Sequence, residues 1–131
     1  MNCYRKILKS KIHRATVTGA DVEYEGSITI PPELLVLSDI CEYEAVSVWN
    51  VTSGTRFETY AIAGQPGSND ICVNGAAAHL VEVGDTIIIA SFFDLHESEV
   101  ASYRQKLVFV DHKNQPKELR SEVPGPAVLS I

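Results

Sequence analysis

The chain has 131 residues, of which 45% are hydrophobic and 21% charged, and a formal net charge of −6 at pH 7. That length suits one domain with a real core, not two, and the composition is that of an ordinary globular protein. The acidic balance argues against a nucleic-acid partner, and the longest apolar run, TIIIASFF at 86–93, is strand-sized and too short for a membrane helix.

The N-terminal MNCYRKILKSKIHR is basic, yet it lacks a continuous apolar core and a small-residue cleavage site, so no signal peptide is predicted. Seven of the eleven Lys and Arg fall in two groups: Arg5, Lys6, Lys9, Lys11 and Arg14 early, Lys117 and Arg120 late. An acidic chain with such groups can still hold a small anion locally. Alternation in IHRATVTGADV predicts a strand with His13, Ala15 and Val17 on one side and Ile12, Arg14 and Thr16 on the other. SITI (27–30) is a second strand. PPELLVLSDI (31–40) reads as a short helix, with proline at its start, Glu33 in its first turn, and Leu34, Leu37 and Ile40 as its apolar stripe.

EAVSVWNV (44–51), TSGT and RFETYAIA (56–63) form a predicted hairpin. QPGSND is a loop, ICVNG a short strand ending at a glycine turn, and AAAHLV one helical turn. VEVGDTIIIASFF is a turn and a buried strand, ESEVASYRQ a brief helix, and KLVFVDHKNQ a last strand and turn. The tail, from about 118 to 131, is expected to be loosely held. Short strands at regular spacing with a few small helices point to a mainly β single domain, a compact β-barrel.

Cys3, Cys41 and Cys72 are widely spaced and odd in number, which favours a reducing, cytoplasmic setting over a disulfide framework. His13, His79, His96 and His112 are too scattered to suggest a metal site, and the chain has no nucleophile-elbow, dinucleotide or phosphate-loop motif.

The chemically suggestive pair is Gly26-Ser27 in YEGSITI. A serine hydroxyl can attack the carbonyl carbon before it, turning an amide into an ester, when the backbone holds oxygen and carbon in line. Glycine before it tolerates strained dihedrals and leaves room for the attack. Proximity within one chain contributes up to roughly 7–11 kcal/mol in ideal cases. Elimination and hydrolysis then leave a pyruvoyl group, a ketone able to act as an electron sink for amines. Gly-Ser alone is usually an ordinary turn.

Five ordered blocks set it apart: KIHRATVT, ADVEYEGSITI, EAVSVWNVTSGTRFETYAIAG, SNDICVNGAAAHLVEVGDTIIIAS and VFVDHKN. With them the chain resembles the aspartate 1-decarboxylases, pyruvoyl enzymes that make β-alanine for pantothenate and coenzyme A synthesis, over nearly all of residues 1–115. The resemblance implies a double-psi β-barrel, a homotetramer with active sites shared between subunits, and self-cleavage into chains 1–26 and 27–131. It implies that some members are assisted in maturation by an acetyltransferase-like protein. Residue by residue, it implies that Ser27 becomes the pyruvoyl group that takes the substrate amine as a Schiff base, and that Tyr60 is the proton donor. Tyr24, Gly26, Thr59 and Asn74 would serve processing. Thr59, Gly75, Ala76, Ala77, Arg56 and Lys11 would bind L-aspartate, Arg56 gripping a carboxylate through two parallel hydrogen bonds. The chain departs from the family at Pro31-Pro32, where an acidic residue is common, and at Phe92, often Tyr.

Strand alternation places Arg56, Glu58 and Tyr60 on one face of RFETYAIA and Phe57, Thr59 and Ala61 on the other. Thr59 and Tyr60 can then share a pocket only at a strand end, a twist or bulge, or across a subunit boundary. Two rival functions fit the same barrel: a binding module that never cleaves, and a pyruvoyl decarboxylase of another amino acid such as glutamate.

Overall fold

The computed structural model describes residues 2–122. Among them, nine strands form one sheet in the order β2-β6-β3-β5-β4-β7-β1-β8-β9. In chain order these are β1 (Tyr4–Thr16), β2 (Gly19–Asp21), β3 (Ile28–Ile30), β4 (Ala45–Asn50), β5 (Arg56–Ala63), β6 (Cys72–Asn74), β7 (Thr86–His96), β8 (Lys106–Val110) and β9 (Pro116–Arg120). One α-helix, α1 (Pro32–Ser38), and two 3-10 helices, Gly75–Leu80 and Glu97–Ser102, complete the described elements.

Residues from β1, β3, β4, β5, β6, β7 and β8 meet in a single apolar cluster that includes Ile12, Ile28, Val48, Ala61, Val73, Ile89 and Val108. Strands far apart in the sheet order thus share one interior. The mainly β fold is as expected and is compatible with a β-barrel. Burial of the Val and Ile side chains, each contributing about 1.5–3 kcal/mol, is the main force holding the strands around this interior.

Several expectations hold in detail and several are corrected. The hairpin forms: β4 pairs antiparallel with β5, and Asn50 accepts the Thr52 and Ser53 N–H groups at 3.0 and 3.1 Å to shape the turn. Helix α1 begins at Pro32, with Glu33 in its first turn, and ends at Asp39 in the left-handed region, where the Ile40 N–H returns to Leu35 O at 3.0 Å. Its buried stripe is Leu34, Leu35 and Ile40, with Leu37 only partly covered.

The strict alternation expected from 12 to 22 is broken. Between Ile12 and Ala15 the β1–β7 register shifts, with Arg14 at a φ of 64°, so Ile12, Ala15 and Val17 all enter the core. The strand begins eight residues before the segment read as extended. An earlier shift, between Leu8 and Ser10, turns Lys9 inward.

The tail expected from about 118 starts inside β9, which pairs antiparallel with β8. Residues 123–131 lie outside the described part of the chain. Asn114, 2% exposed, ties this C-terminal hairpin down. It accepts the Thr16 N–H and donates to Thr16 O and Asn69 O, all within 3.0 Å.

Candidate active site

Ser27 stands at the entry to β3, between β5 and β6. Strand β3 runs parallel to β5, with Ile28 opposite Ala61, and antiparallel to β6, with Ile28 opposite Val73. The neighbours of Ser27 are therefore residues near 60 on one side and near 74 on the other. That registry alone gathers three distant sequence blocks.

Asn74 holds Ser27 twice. Its N–H donates to Ser27 O at 2.9 Å, and its Nδ2 donates to Ser27 Oγ at 3.2 Å. The same Nδ2 donates to Thr29 Oγ1 at 3.2 Å, which fixes the amide plane. Ser27 is 3% exposed, so its hydroxyl is aimed by protein and not by bulk water. Both residues at the expected scissile bond have positive φ, 117° at Gly26 and 88° at Ser27. Glycine adopts such a value freely, whereas serine does so at a cost of about 1–3 kcal/mol.

A hollow of about 520 Å³ lies over this bond. Tyr24, Glu25, Gly26 and Ser27 form one part of its lining, and Tyr43, Tyr60 and Ile62 the other. Tyr60 and Ile62 reach it together because they are two apart on β5. The Tyr60 hydroxyl sits 3.7 Å from where a Cβ on Gly26 would be. Tyr43, in the turn before β4, is brought in by its N–H, which donates to Ala61 O of β5 at 2.7 Å.

Thr59 points to the opposite face of β5, paired with Val46, and does not line this hollow. Gly75 packs directly on Gly26, whereas Ala76 is exposed and Ala77 packs against the core. Lys11 and Arg56 come together elsewhere. Both lie over the Trp49 ring, at 5.9 and 5.5 Å from its centroid, and Arg56 is directly opposite Trp49 in the β4–β5 ladder. Lys11 also reaches Glu122 at 3.6 Å. Arg56 is four residues from Tyr60, roughly 13 Å along a strand. Neither cation lines the hollow. Next to Lys11, burial, then the charges of Lys11 and Arg14, lower the His13 pKa from its ordinary 6.5.

The profile of the family described as Aspartate decarboxylase matches residues 3–117. The chain belongs to the aspartate decarboxylase family. Among its relatives, the aspartate 1-decarboxylase of Syntrophotalea carbinolica is 63% identical over 125 residues, covering 95% of both chains. That of Legionella pneumophila strain Philadelphia 1 is 61% identical, covering 95% of this chain and 98% of its own. That of Rhodopirellula baltica is 57% identical, covering 97% and 81%.

For a member of this family the hollow holds residues that sequence reading passed over: Tyr43, Glu25 and Ile62, with Thr29 behind Asn74. Ile62 was recoverable as the i+2 neighbour of Tyr60. Tyr43 was not, because nothing local to CEYEA tells that this turn faces YEGS.

A second polar cluster supports the frame from outside the hollow. Lys9 Nζ binds Glu44 Oε2 at 2.8 Å and Asp39 O at 2.5 Å, and Ser91 Oγ also donates to Glu44. Burial raises the Glu44 pKa, but the hydrogen bonds from Lys9, Ser91 and the Cys41 N–H together outweigh it and hold the carboxyl below its ordinary range. Glu44 O in turn accepts from the Ala61 N–H, so this cluster anchors β5 beside the site.

Proposed function

We propose that this chain cuts itself between Gly26 and Ser27 and then removes the α-carboxylate of L-aspartate, releasing carbon dioxide and β-alanine for pantothenate and coenzyme A synthesis. The observation that carries the reading is the buried, positive-φ Ser27 whose hydroxyl is held by Asn74 directly after a positive-φ glycine.

In the cleavage, Ser27 Oγ bonds to the Gly26 carbonyl carbon, the C–N bond breaks, and the hydroxyl proton passes to the freed amine. Loss of the Ser27 α-proton then expels Gly26 as a carboxylate, and water releases the nitrogen as ammonia. The products are chains 1–26 and 27–131, the second beginning with a pyruvoyl group. Ser27 suits that group, since it lies on the lining of a hollow large enough for a small amino acid. When present, the group supplies the electron sink for decarboxylation.

The surrounding residues orient the substrate and move a proton. Tyr60 extends from the hollow's wall and delivers the proton that replaces the departing carboxylate. The Asn74 N–H keeps the backbone carbonyl of residue 27 in place. The Gly75–Ala77 backbone borders the substrate. Arg56 and Lys11 grip a carboxylate, and their distance from the hollow within one chain supports a homotetramer in which a neighbouring copy presents them, together with Thr59. Arg56 braced on Trp49 is pre-oriented for two parallel hydrogen bonds.

The described residues contain no helix long and apolar enough to cross a membrane, and the free cysteines suit a cytoplasmic enzyme. Denaturing mass spectrometry of purified protein tests the reading. Two fragments are expected, the larger lighter by one ammonia than a serine-started chain; an intact chain after prolonged warming overturns self-sufficient cleavage and calls for a maturation factor. Product formation from aspartate, with little from glutamate, tests the substrate.

A further inference from the structure

Gly75 and Gly26 lie back to back. A Cβ added to Gly75 would stand 2.7 Å from Gly26 Cα, 2.9 Å from Gly26 N and 3.2 Å from Tyr24 O. All three are backbone atoms, which cannot swing aside as the end of a flexible side chain can. Both glycines have positive φ, 74° and 117°. Consecutive residues of one segment thus hold the two sides of the bond to be cut: Asn74 grips Ser27 by its carbonyl and hydroxyl, and Gly75 abuts Gly26.

We propose that Gly75 is a positioning residue for the self-cleavage, acting through Gly26. Its bare Cα sets the Gly26 carbonyl carbon against the hydroxyl that Asn74 holds. Any L side chain at 75 displaces the electrophile while leaving the nucleophile in place. This rests on the reading that the Gly26–Ser27 bond is cut. A misplacement of about 1 Å at reacting atoms costs on the order of 100-fold in rate.

Strain and contact can be separated within this chain. Gly54 and Gly84 also have positive φ, 84° and 98°, but a Cβ at either meets nothing within 4 Å. Gly54→Ala and Gly84→Ala therefore carry the dihedral strain alone. Precursor is refolded from denaturant, and its conversion to the two fragments is followed by mass spectrometry, with thermal melting in a Ser27→Ala background as the measure of folding. Gly75→Ala is expected to cleave about 100-fold more slowly than Gly84→Ala at comparable melting temperature. Equal cleavage rates in the two overturn the inference.

Should Gly75→Ala not fold, a D-alanine at 75 decides. It can be installed by ligation at the native Cys72, and it adopts positive φ without strain while turning its methyl away from Gly26. Close to parental cleavage supports the inference, and loss of cleavage overturns it. If the parental chain itself stays whole, the processing reading fails first.

Discussion

Ser27 carries two burdens that its neighbours make compatible: a conformation unfavourable for an L residue and a hydroxyl removed from water. Asn74 supplies the compensating hydrogen bonds, so Asn74→Ala is expected to slow cleavage by about 10- to 100-fold without abolishing it, read as accumulated full-length chain. Tyr60 acts later. Tyr60→Phe is expected to reach full cleavage yet lose about 100- to 10,000-fold in kcat, as removal of a general acid does; a near-parental kcat in fully cleaved protein would remove Tyr60 from the reaction. The candidate residues were legible here through the family resemblance that YEGS, RFETY and VNGAA carry within the five ordered blocks. Their geometry was not, since alternation on β5 sends Thr59 and Tyr60 to opposite faces and only one of them meets Ser27 within a chain.

At the scale of elements, the bulges of β1 matter most. Each inserts a residue that reverses the inside and outside of the strand beyond it. One brings Ile12 and Ala15 to the same core; the other buries Lys9 against Glu44. The Lys9 and Glu44 side chains are 11% and 21% exposed, so breaking the pair leaves a poorly solvated charge. Lys9→Met is expected to cost about 2 kcal/mol in urea unfolding.

The pH dependence of the same pair has a definite sign. The folded pKa of Glu44 is depressed, so its contribution is present above the ordinary value of 4.5 and is lost as pH falls through the lower folded pKa. Melting temperature should fall more steeply below pH 4.5 in the parental protein than in Glu44→Gln. Identical acid limbs would show that the pair contributes nothing.

For the molecule as a whole, the anionic substrate poses the decisive problem. The hollow beside Ser27 is lined by tyrosines, one glutamate and apolar atoms, while Lys11 and Arg56 sit around Trp49. The proposal that a neighbouring copy supplies these cations answers this, and hybrid oligomers test it. Arg56→Ala and Tyr60→Phe chains, each nearly inactive, are expected to regain about a quarter of parental activity when refolded together, because some sites then draw an intact residue from each copy. No recovery in mixed oligomers would place Arg56 and Tyr60 of each site on one chain.

Local strings and periodicity determined by themselves the mainly β character, the β4–β5 hairpin, the proline-started helix and the family. These arise from side-chain spacing and turn chemistry acting over a few residues. Tertiary structure alone decided that β3 lies between β5 and β6, that Gly75 abuts Gly26, that Tyr43 joins the hollow and that β9 extends the sheet. Each depends on which distant strands pair and in what register. That choice minimises the free energy of the whole buried core, and no short window of sequence contains it.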